Sequence, residues 1–577
     1  MGIAATRWCR TDALSQFHIP QWGDGFFDVN EAGHLVVLPQ GINGAVVDLS
    51  LLMADLRGRG LETPILLCFP DILHRRLLQL NDLFQQAMDR YGYRGRYRCL
   101  YPLKVNPQRP VVEAVVSRGQ SVGAGLEVGS MPELQAALAS MTNDCRPIVC
   151  NGHKDRAFLQ LALLGQRLGQ QMVIVIEKPR ECLLLMELAT EMAVRPCIGV
   201  RLRPLTAGSG RWKASSGPQS KFGLNASELF TVLQLLRQKG YLECVTWLHG
   251  HVGSQISTIT TVRAWAREAA YSYVDLRRWG CPIETVDLGG GLGIDYTGVQ
   301  QLEEDSIDYN WQDYADTIVA QFAAVCGTEQ MPQPHLVTES GRAITAHHAI
   351  LMTSLVPMDL PVTAPAELDW PHEMLPDGQI RLAQRLRMES SPQPGGNSRE
   401  FVNFSVFQSL PDSWALGQIF PVVPIQQLLE PPSRWSSLYD LTCDSDGQLS
   451  RFCVAGAIGP QLPLPTPRPG VISDVAILLV GAYQTVLGGY HNLFGRPSVV
   501  EVGIDAAQQG VVRRVWSGQT ALDVLTHALY DATDLQQALH RMVWQAKQQG
   551  RLDVNELLTM EQWLQESLHN RAYLRME

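Results

Sequence analysis

The chain has 577 residues, of which 45% are hydrophobic and 18% are charged, and its formal net charge at pH 7 is −10. This length is too great for one hydrophobic core, so we expect two to four domains. The acidic balance argues against nucleic acid as the main partner, because phosphate binding needs a basic face. The longest strongly apolar run, Val475 to Ala482, is too short to cross a membrane, and the N-terminus shows no apolar signal-like segment.

Twelve cysteines are scattered along the chain, and no two of them form a CxxC pair. In a chain this long, such a distribution indicates reduced thiols, and it argues against a disulfide framework or a zinc site. We therefore expect a cytoplasmic protein without a membrane partner.

The first part of the chain predicts short strands followed by a helix. Residues Trp22 to Pro70 contain strand-like pieces separated by glycine and proline turns, and Leu73 to Tyr91 has helical spacing. We assign residues 1–94 to an N-terminal segment that contributes to a β domain.

Between about Arg96 and Thr345, short apolar runs alternate with amphipathic stretches of helical spacing. Such alternation is typical of parallel strands joined by crossover helices. Eight units in about 250 residues fit a (β/α)8 TIM barrel over residues 95–350, and an open doubly wound sheet is the alternative that periodicity leaves open. The expected strands are Tyr97–Lys104, Ser121–Glu127, Ile148–Asn151, Met172–Glu177, Ile198–Arg203, Val245–His251, Thr285–Leu288 and His335–Thr338.

After the barrel the sequence predicts a linker, a β domain and a helical tail. Residues 351–400 include the stretch from Ser390 to Ser398, whose proline, glycine and serine content is typical of a linker. Residues 401–516 contain short apolar runs and are assigned to a β-sandwich or barrel domain that the N-terminal segment completes. Residues 517–577 have helical spacing.

Chemically distinctive residues stand at the predicted C-terminal ends of four barrel strands. Lys104 ends the first strand and His251 the sixth, while Gly289 to Gly291 follow the seventh, and Glu339 and Arg342 follow the eighth. Active sites of TIM barrels lie at this end of the strands. The sequence therefore predicts an active site built from these residues.

Lys104, in the segment YPLKVN, has two interpretations. A buried ammonium is costly, so a lysine that ends an apolar run suggests a Schiff-base lysine whose pKa is lowered by its surroundings. The alternative is a lysine that extends its ammonium into solvent at a strand end.

The glycines 289 to 291 and Arg342 fit a phosphate group. Glycine lets backbone N–H groups approach an anion closely, and TIM barrels commonly bind phosphate after strands seven and eight. Arg342 would add a charge-assisted contact, and Glu339 would keep a pyridine nitrogen protonated. The alternatives are a plain tight turn for the glycines and a local ion pair between Glu339 and Arg342.

Two further segments, HGHVGSQ and CDSDG, contain candidate residues. His251 can stack on an aromatic ring and Ser254 can donate to phosphate; a structural histidine is the alternative, and the lack of a nearby acidic ligand argues against zinc. Cys443 is a candidate proton donor, and Asp444 and Asp446 can attract a cationic side chain. D-S-D-G is also a common acidic turn.

Taken together, these motifs resemble the biosynthetic arginine decarboxylases, which are fold-type III PLP decarboxylases with a barrel like that of alanine racemase. The resemblance extends over nearly the whole chain. It is carried by WGDGFFDVNEAGHL, YPLKVN, VCNGHKDR, SKFGL, HGHVGSQ, DLGGGLGIDY, TESGRAITAHH, FVNFSVFQSLPDSW, TCDSDG and GAYQTVLGGYHNLFG. The first and last of these segments distinguish this family from ornithine and diaminopimelate decarboxylases.

The resemblance implies a role for each matching residue. Lys104 would hold pyridoxal 5'-phosphate (PLP), His251 would stack on its ring, and Glu339 would face the pyridinium nitrogen, with Glu127 near the ring. The phosphate would be bound by Ser254, Gly289, Gly290, Gly291, Arg342 and Tyr483. The substrate would contact Val286, Asp287, Leu288, Gly289, Gly290, Gly291, Leu292, Gly293, Ile294, Asp295 and Tyr296, with Asp444 and Asp446 at its distal cation.

The implied reaction is decarboxylation of L-arginine to agmatine, a precursor of putrescine and spermidine. Cys443 would return a proton to Cα from the neighbouring subunit, which implies a homodimer or homotetramer with shared sites. The family is also described as needing Mg²⁺, and no motif in this sequence marks a magnesium site.

Three segments depart from the family pattern. The segment from Ala364 to Glu400 is short, whereas relatives carry a long, mostly helical insertion there that contributes to assembly. This difference argues against a tetramer. Met131-Pro132 stands where the family favours Lys-Ala. Ala455 to Pro460 lacks the acidic residues that relatives carry after CDSDG, which bears on the preference for a basic substrate.

Other functions stay open from the sequence. Ornithine, lysine or diaminopimelate would use the same chemistry. A racemase needs a second base on the opposite face of the cofactor, and Cys443 fits a decarboxylase better. A non-catalytic PLP-binding regulatory protein tends to be a lone barrel, whereas this chain has a β domain and CDSDG; a purely structural role would leave the set of strand-end residues without a reason.

Overall fold

The computed structural model describes residues 8–141, 145–208, 217, 220–300, 304–357 and 398–576. The expected linker region, residues 351–400, lies mostly outside the described residues, which within it are 351–357 and 398–400.

The N-terminal segment supplies a small antiparallel sheet, one strand of the β domain and a long helix. The long helix buries Leu73, Leu77, Leu80 and Phe84, a spacing that places one apolar face against the barrel. The elements are α1 (Arg10–Gln16), α2 (Ile19–Gly23), β1 (Phe27–Val29), β2 (Leu35–Val37), β3 (Val47–Asp48), α3 (Leu49–Gly58), β4 (Ile65–Cys68) and α4 (Pro70–Arg90).

A closed barrel of eight parallel strands forms the centre of the structure and confirms the predicted fold. Each strand pairs with the next in chain order, and the last pairs with the first through Leu336 and Tyr97. The strands are β5 (Tyr97–Pro102), β6 (Gly125–Val128), β7 (Pro147–Cys150), β8 (Gln171–Ile176), β9 (Ile198–Leu202), β10 (Val245–Gly250), β11 (Thr285–Asp287) and β12 (His335–Thr338).

Amphipathic helices surround the barrel. Capping boxes formed by Asn225 with Glu228 and by Asn310 with Asp313 start two of them, because each asparagine side chain satisfies a free backbone N–H group. The helices are α5 (Arg109–Arg118), α6 (Met131–Ser140), α7 (Arg156–Arg167), α8 (Pro179–Glu191), α9 (Ala226–Gln238), α10 (Ile259–Trp279), α11 (Trp311–Thr328) and α12 (Gly341–Thr345).

Two strand boundaries differ from the prediction by more than one residue. The first strand ends at Pro102, and Lys104 lies in the 3₁₀ turn that follows it. The second strand begins at Gly125, since residues from Gly119 to Val122 form a 3₁₀ turn and Gly123 has a φ of +66°. Both differences keep the functional side chains at the end of a strand.

The β domain takes strands from both sides of the barrel in sequence, as predicted. Its six-stranded sheet has the order β15 (Val422–Pro424), β21 (Asp474–Ile477), β13 (Ala349–Ser354), β4, β22 (Ser498–Ile504) and β23 (Gly510–Trp516), so β4 of the N-terminal segment lies between β13 and β22. The elements are β13 (Ala349–Ser354), β14 (Ser398–Phe401), α13 (Val406–Ser409), α14 (Pro411–Leu416), β15 (Val422–Pro424), β16 (Arg434–Tyr439), β17 (Gln448–Leu449), β18 (Phe452–Val454), β19 (Ala457–Gly459), β20 (Leu462–Leu464), β21 (Asp474–Ile477), α15 (Gln484–Leu487), β22 (Ser498–Ile504) and β23 (Gly510–Trp516).

The predicted helical tail consists of α16 (Ala521–His527), α17 (Ala532–Gln548) and α18 (Val554–His569). Each begins at a Thr or Asp whose side chain accepts a backbone hydrogen bond. Among the described helices, none combines the length and apolar character that a bilayer crossing requires. The expected boundaries near residues 94, 350, 400 and 516 stay predictions.

Candidate active site

Polar side chains from five barrel strands meet at the C-terminal mouth of the barrel. Lys104 follows β5, Glu127 lies on β6, Asn151 follows β7, His249 lies on β10 and Glu339 follows β12. A continuous set of contacts joins them at 2.5, 3.0, 2.8 and 3.1 Å. The structure therefore brings together the predicted residues Lys104, Glu127 and Glu339.

The ammonium of Lys104 donates to Oε2 of Glu127 at 2.5 Å. Burial by itself lowers the pKa of Lys104, but attraction by Glu127 and Glu339 outweighs it and raises the pKa above its ordinary value. The predicted lowering of this pKa is therefore wrong in this structure. Half of the lysine side chain is exposed at the mouth of the barrel.

Glu339 and Glu127 are buried carboxylates with opposite tendencies. Burial opposes ionisation of Glu339, yet His249, which donates from Nε2 at 3.1 Å, and Lys104 hold its pKa below the ordinary value. Burial raises the pKa of Glu127. Glu339 is therefore the carboxylate that keeps its charge, as a partner of a protonated pyridine nitrogen must.

Asn151 is a site residue that the sequence analysis did not single out. Its Nδ2 donates to Oε1 of Glu127 at 3.0 Å and to Oε1 of Glu339 at 2.8 Å. Its position directly after the third barrel strand was the available signal, since the same rule selected Lys104 and Glu339.

His251 directly follows β10 and lies beside the glycine turn that follows β11. Its Nδ1 accepts the backbone N–H of Gly290 at 3.1 Å. Burial, helped by the charge of Arg201, lowers the pKa of His251 to about 3, so the ring is neutral near pH 7. A neutral, planar ring suits the predicted stacking role.

The turn from Gly289 to Gly291 requires glycine. Gly289 and Gly291 have φ values of +70° and +128°, and a Cβ on Gly289 would lie 2.5 Å from the carbonyl oxygen of Gly250. A Cβ on Gly290 would lie 2.9 Å from the carbonyl oxygen of Glu339. The backbone of Gly289 to Gly291 therefore encloses a space, called the cradle below, that side chains at these positions would fill.

Most of the other residues in the predicted Val286 to Tyr296 segment fall into three groups. Asp287 accepts the N–H of Gly289 at 2.9 Å and so fixes the turn, and burial raises the pKa of this carboxyl to about 7. Asp295 accepts the N–H groups of Thr297 and Gly298 in a local turn. Four apolar side chains lie in the core: Val286, Leu288, Leu292 and Ile294.

Arg342, which follows β12, brings three other segments together. Its guanidinium donates to the hydroxyl of Tyr296 at 3.0 Å and to Oγ of Ser254 at 3.5 Å, and it lies 4.7 Å from the centre of the Tyr483 ring. The backbone N–H of Tyr483 donates to the carbonyl of Val105 at 2.8 Å, next to Lys104. The predicted phosphate residues Ser254, Arg342 and Tyr483 are thus neighbours.

Two more charged residues at strand ends were missed by the sequence analysis. Glu177 follows β8 and pairs with Arg201 of β9 at 3.0 Å. Lys154 is buried and lies 3.4 Å from Glu181. The same strand-end rule would have pointed to Glu177, because it directly follows an apolar run.

The CDSDG segment is an exposed loop after β16. The backbone N–H of Cys443 donates to Asn492 at 3.1 Å, and Asp444 lies 3.6 Å from His491. The backbone N–H of Asp446 donates to Asp444 at 2.9 Å, so the segment is also the acidic turn that the alternative interpretation describes. Within the part of the chain that is described, these contacts do not join the loop to the group around Lys104.

The donor set fits PLP. It offers an amine, an ionised buried carboxylate, a neutral ring, a glycine turn and a buried guanidinium, which would match the aldehyde, pyridine nitrogen, ring face and phosphate of the cofactor. The residues His249, Asp287 and Glu339 are the one group of at least three convergent metal-ligand side chains among the described residues. They do not fit Mg²⁺, because this ion prefers six oxygen ligands and His249 already donates to Glu339.

Comparison with known proteins gives concordant matches. The family model of the pyridoxal-binding domain of pyridoxal-dependent decarboxylases matches residues 77–346. A biosynthetic arginine decarboxylase of Bacteroides thetaiotaomicron is 35% identical over 95% of this chain and 97% of its own, and one of Alkalilimnicola ehrlichii is 40% identical over 90% and 92%. The crystal structure of the biosynthetic arginine decarboxylase of Campylobacter jejuni has a TM-score of 0.85 and 27% identity, covering 97% of this chain and all of that one.

Proposed function

Because the chain belongs to the biosynthetic arginine decarboxylase family, we propose that it uses PLP to convert L-arginine and a proton into agmatine and CO2. Agmatine would then feed the synthesis of putrescine and spermidine. The observation that carries the proposal is the convergence of Lys104, Glu339 and Arg342 at one mouth of the barrel. These three residues match the three anchoring points of the cofactor.

The chain's own residues would divide the work of holding the cofactor. Lys104 Nζ would hold it covalently, and Glu339 would accept the N–H of its pyridine ring. His251 would cover one ring face, while the glycine turn and Arg342 would bind its phosphate. When bound, PLP accepts the electron pair that is released as the bond between Cα and the carboxylate breaks.

The CDSDG loop would complete the site from a second subunit. Its exposure leaves Cys443 and Asp444 accessible to another copy of the chain. Cys443 would donate a proton to Cα after CO2 leaves, and Asp444, with Asp446, would pair with the guanidinium of arginine. Buried polar groups that are left unpaired by a wrong substrate can discriminate by about 10⁴-fold.

This arrangement implies a homodimer or a homotetramer with shared sites. All twelve cysteines are free, which supports a reducing compartment such as the cytoplasm. A need for Mg²⁺ is an expectation from the family alone, and dialysis against a chelator followed by an assay with and without added Mg²⁺ tests it.

The proposed reaction is tested by incubating the purified, PLP-loaded protein with L-arginine, L-ornithine, L-lysine or diaminopimelate. The expected result is agmatine and CO2 in equal amounts from arginine, with slower or no reaction of the others. Activity on another amino acid alone would keep the chemistry and overturn the substrate. Loss of all activity with PLP bound would favour the non-catalytic alternative.

A further inference from the structure

One amide nitrogen lies between the two site carboxylates. Nδ2 of Asn151 is 3.0 Å from Oε1 of Glu127 and 2.8 Å from Oε1 of Glu339. We infer that Asn151 is a positioning residue of the decarboxylation, which fixes Glu127 and Glu339 relative to each other. The inference rests on the proposed function and goes beyond it, since Asn151 acts through the two carboxylates.

The orientation of the Asn151 amide follows from its neighbours. Ionised carboxylates only accept hydrogen bonds, so the NH₂ group must face them, and its two hydrogens suffice for one bond to each carboxylate. Its Oδ1 is buried and has no hydrogen-bond partner in the described structure. Turning the amide over would direct that oxygen at both carboxylates. The two hydrogen bonds from Asn151 to Glu127 and Glu339, called the bridge below, therefore leave Oδ1 unsatisfied.

The bridge leaves specific oxygens free for chemistry. On Glu127, Asn151 uses Oε1 and Lys104 uses Oε2, so Oε2 becomes free when the lysine amine attaches to the cofactor. On Glu339, both Asn151 and His249 contact Oε1. Neither of them occupies Oε2, which leaves that oxygen to accept the pyridine N–H.

Asn151 is itself held rigidly. It is 4% exposed, and its backbone N–H donates to the carbonyl of Val128 at 2.8 Å, which ties the end of β7 to the end of β6. A fixed backbone lets a short side chain set the separation of the two carboxylates. The titratable groups that act on the two bridged carboxylates from the surrounding elements include Lys104, His249, His251 and Asp287, together with the buried thiols of Cys99 and Cys150.

Removing the bridge should raise the pKa of both carboxylates. Asn151 donates to the ionised forms of Glu127 and Glu339 and therefore stabilises them. Without it both carboxylates hold a proton more tightly. An acid limb of the pH profile of kcat/KM that reports protonation of these carboxylates, foremost of Glu127 with its raised pKa, should then move to higher pH.

The test compares Asn151→Leu with a matched buried asparagine, Asn403→Leu, in PLP-loaded protein. Asn403 is fully buried in the β domain and donates to the carbonyls of Thr63 and Leu574. We expect Asn151→Leu to lower kcat for arginine about 10- to 100-fold with little change in KM, and to move the acid limb upward by about one pH unit. The pH at which the visible absorbance of the lysine-bound cofactor changes should move as well.

Asn403→Leu should lower the melting temperature and leave both titrations where they are in the unsubstituted protein. A second variant, Asn151→Asp, keeps the shape of the side chain and decides the question if Asn151→Leu does not fold. It should lose activity increasingly as the pH rises, because a third carboxylate then forms beside the other two.

The inference is overturned if Asn151→Leu changes only the melting temperature, as Asn403→Leu does, or if Asn151→Asp follows the pH profile of the unsubstituted protein. Failure of the proposed function looks different. In that case the unsubstituted protein itself shows neither the absorbance of lysine-bound PLP nor release of CO2 from arginine.

Discussion

The ammonium of Lys104 and the buried carboxylate of Glu127 form a hydrogen-bonded ion pair of 2.5 Å at the mouth of the barrel. The pair raises the pKa of the lysine, whereas attack on the cofactor aldehyde requires the neutral amine. Attachment of PLP must therefore break this pair, and the proton on the amine has to leave. Removing the charge of Glu127 should therefore change how fast PLP attaches to Lys104.

Replacing Lys104 with alanine should abolish covalent attachment of PLP. Because no other lysine contacts Glu127 in the described structure, the visible absorbance of the lysine-bound cofactor should disappear and kcat should fall by at least about 1,000-fold. Absorption spectra and CO2 release measure both effects. Lys239→Ala, at an exposed position, is the control, and an unchanged spectrum of Lys104→Ala would contradict the assignment.

Replacing Glu127 with glutamine should speed the attachment of PLP to apoprotein at pH 7 to 8. The loss of the carboxylate charge lowers the pKa of Lys104, so the fraction of neutral amine rises about tenfold for each unit of decrease. Stopped-flow absorbance after mixing apoprotein with PLP measures this rate. Glu113→Gln, which removes a partly exposed carboxylate paired with Arg109, should leave it unchanged. A slower rate in Glu127→Gln would mean that the ion pair does not restrain the amine.

Replacing Gly290 with alanine should weaken the binding of PLP. The new Cβ would lie 2.9 Å from the carbonyl oxygen of Glu339, so the backbone must shift and the cradle changes shape. We expect the Kd for PLP to rise at least about 10-fold, measured by fluorescence titration of apoprotein. Gly327→Ala in α11 meets no atom within 4 Å and should leave the Kd unchanged. Equal Kd values for both variants would exclude the cradle.

Acid should destabilise the apoprotein through its buried histidines. Burial lowers the pKa of His348 to about 4 and that of His347 to about 3, below their unfolded value of about 6.5. The unfolded chain therefore binds more protons than the folded one as the pH falls below about 6.5. Each histidine should cost about 1.4 kcal/mol of unfolding free energy per pH unit, from there down to its folded pKa.

Urea unfolding midpoints measured between pH 7 and 5 test this expectation. The midpoint should fall as the pH is lowered, and it should fall less steeply in His348→Asn, whose amide can still donate to the carbonyl of Thr345. His540→Asn provides an exposed-histidine control. Parallel curves for His348→Asn and the unsubstituted protein would contradict the prediction.

Two inactive variants should restore activity when they are mixed. If Cys443 serves the site of a neighbouring subunit, Lys104→Ala and Cys443→Ala subunits can form hybrids that have one intact site. When the two variants are mixed in equal amounts and their subunits exchange at random, about a quarter of all sites are intact. Agmatine formation after mixing and re-equilibration measures this recovery. No recovery, despite exchange shown by differently tagged subunits, would place Cys443 in the site of its own chain or outside the mechanism.

The sequence alone determined eight parallel strands and which residues stand at their C-terminal ends, while a closed barrel and an open doubly wound sheet both stayed compatible with it. Apolar runs alternating with helical stretches specify eight parallel strands, and parallel strands in a closed barrel direct their C-terminal ends to one side. Lys104, His251, Glu339 and Arg342 could therefore be assigned to one region from their positions at strand ends. The strand-end rule applies equally to Asn151 and Glu177, since each of them ends a predicted strand.

Only the tertiary structure decided which of these groups touch. The bridge from Glu127 through Asn151 to Glu339 joins residues that are far apart in sequence, and it depends on barrel closure and side-chain rotamers. The direction of the Lys104 pKa shift was mispredicted for the same reason. Desolvation can be estimated from an apolar run, but the opposing attraction depends on two carboxylates whose distances exist only in the folded chain.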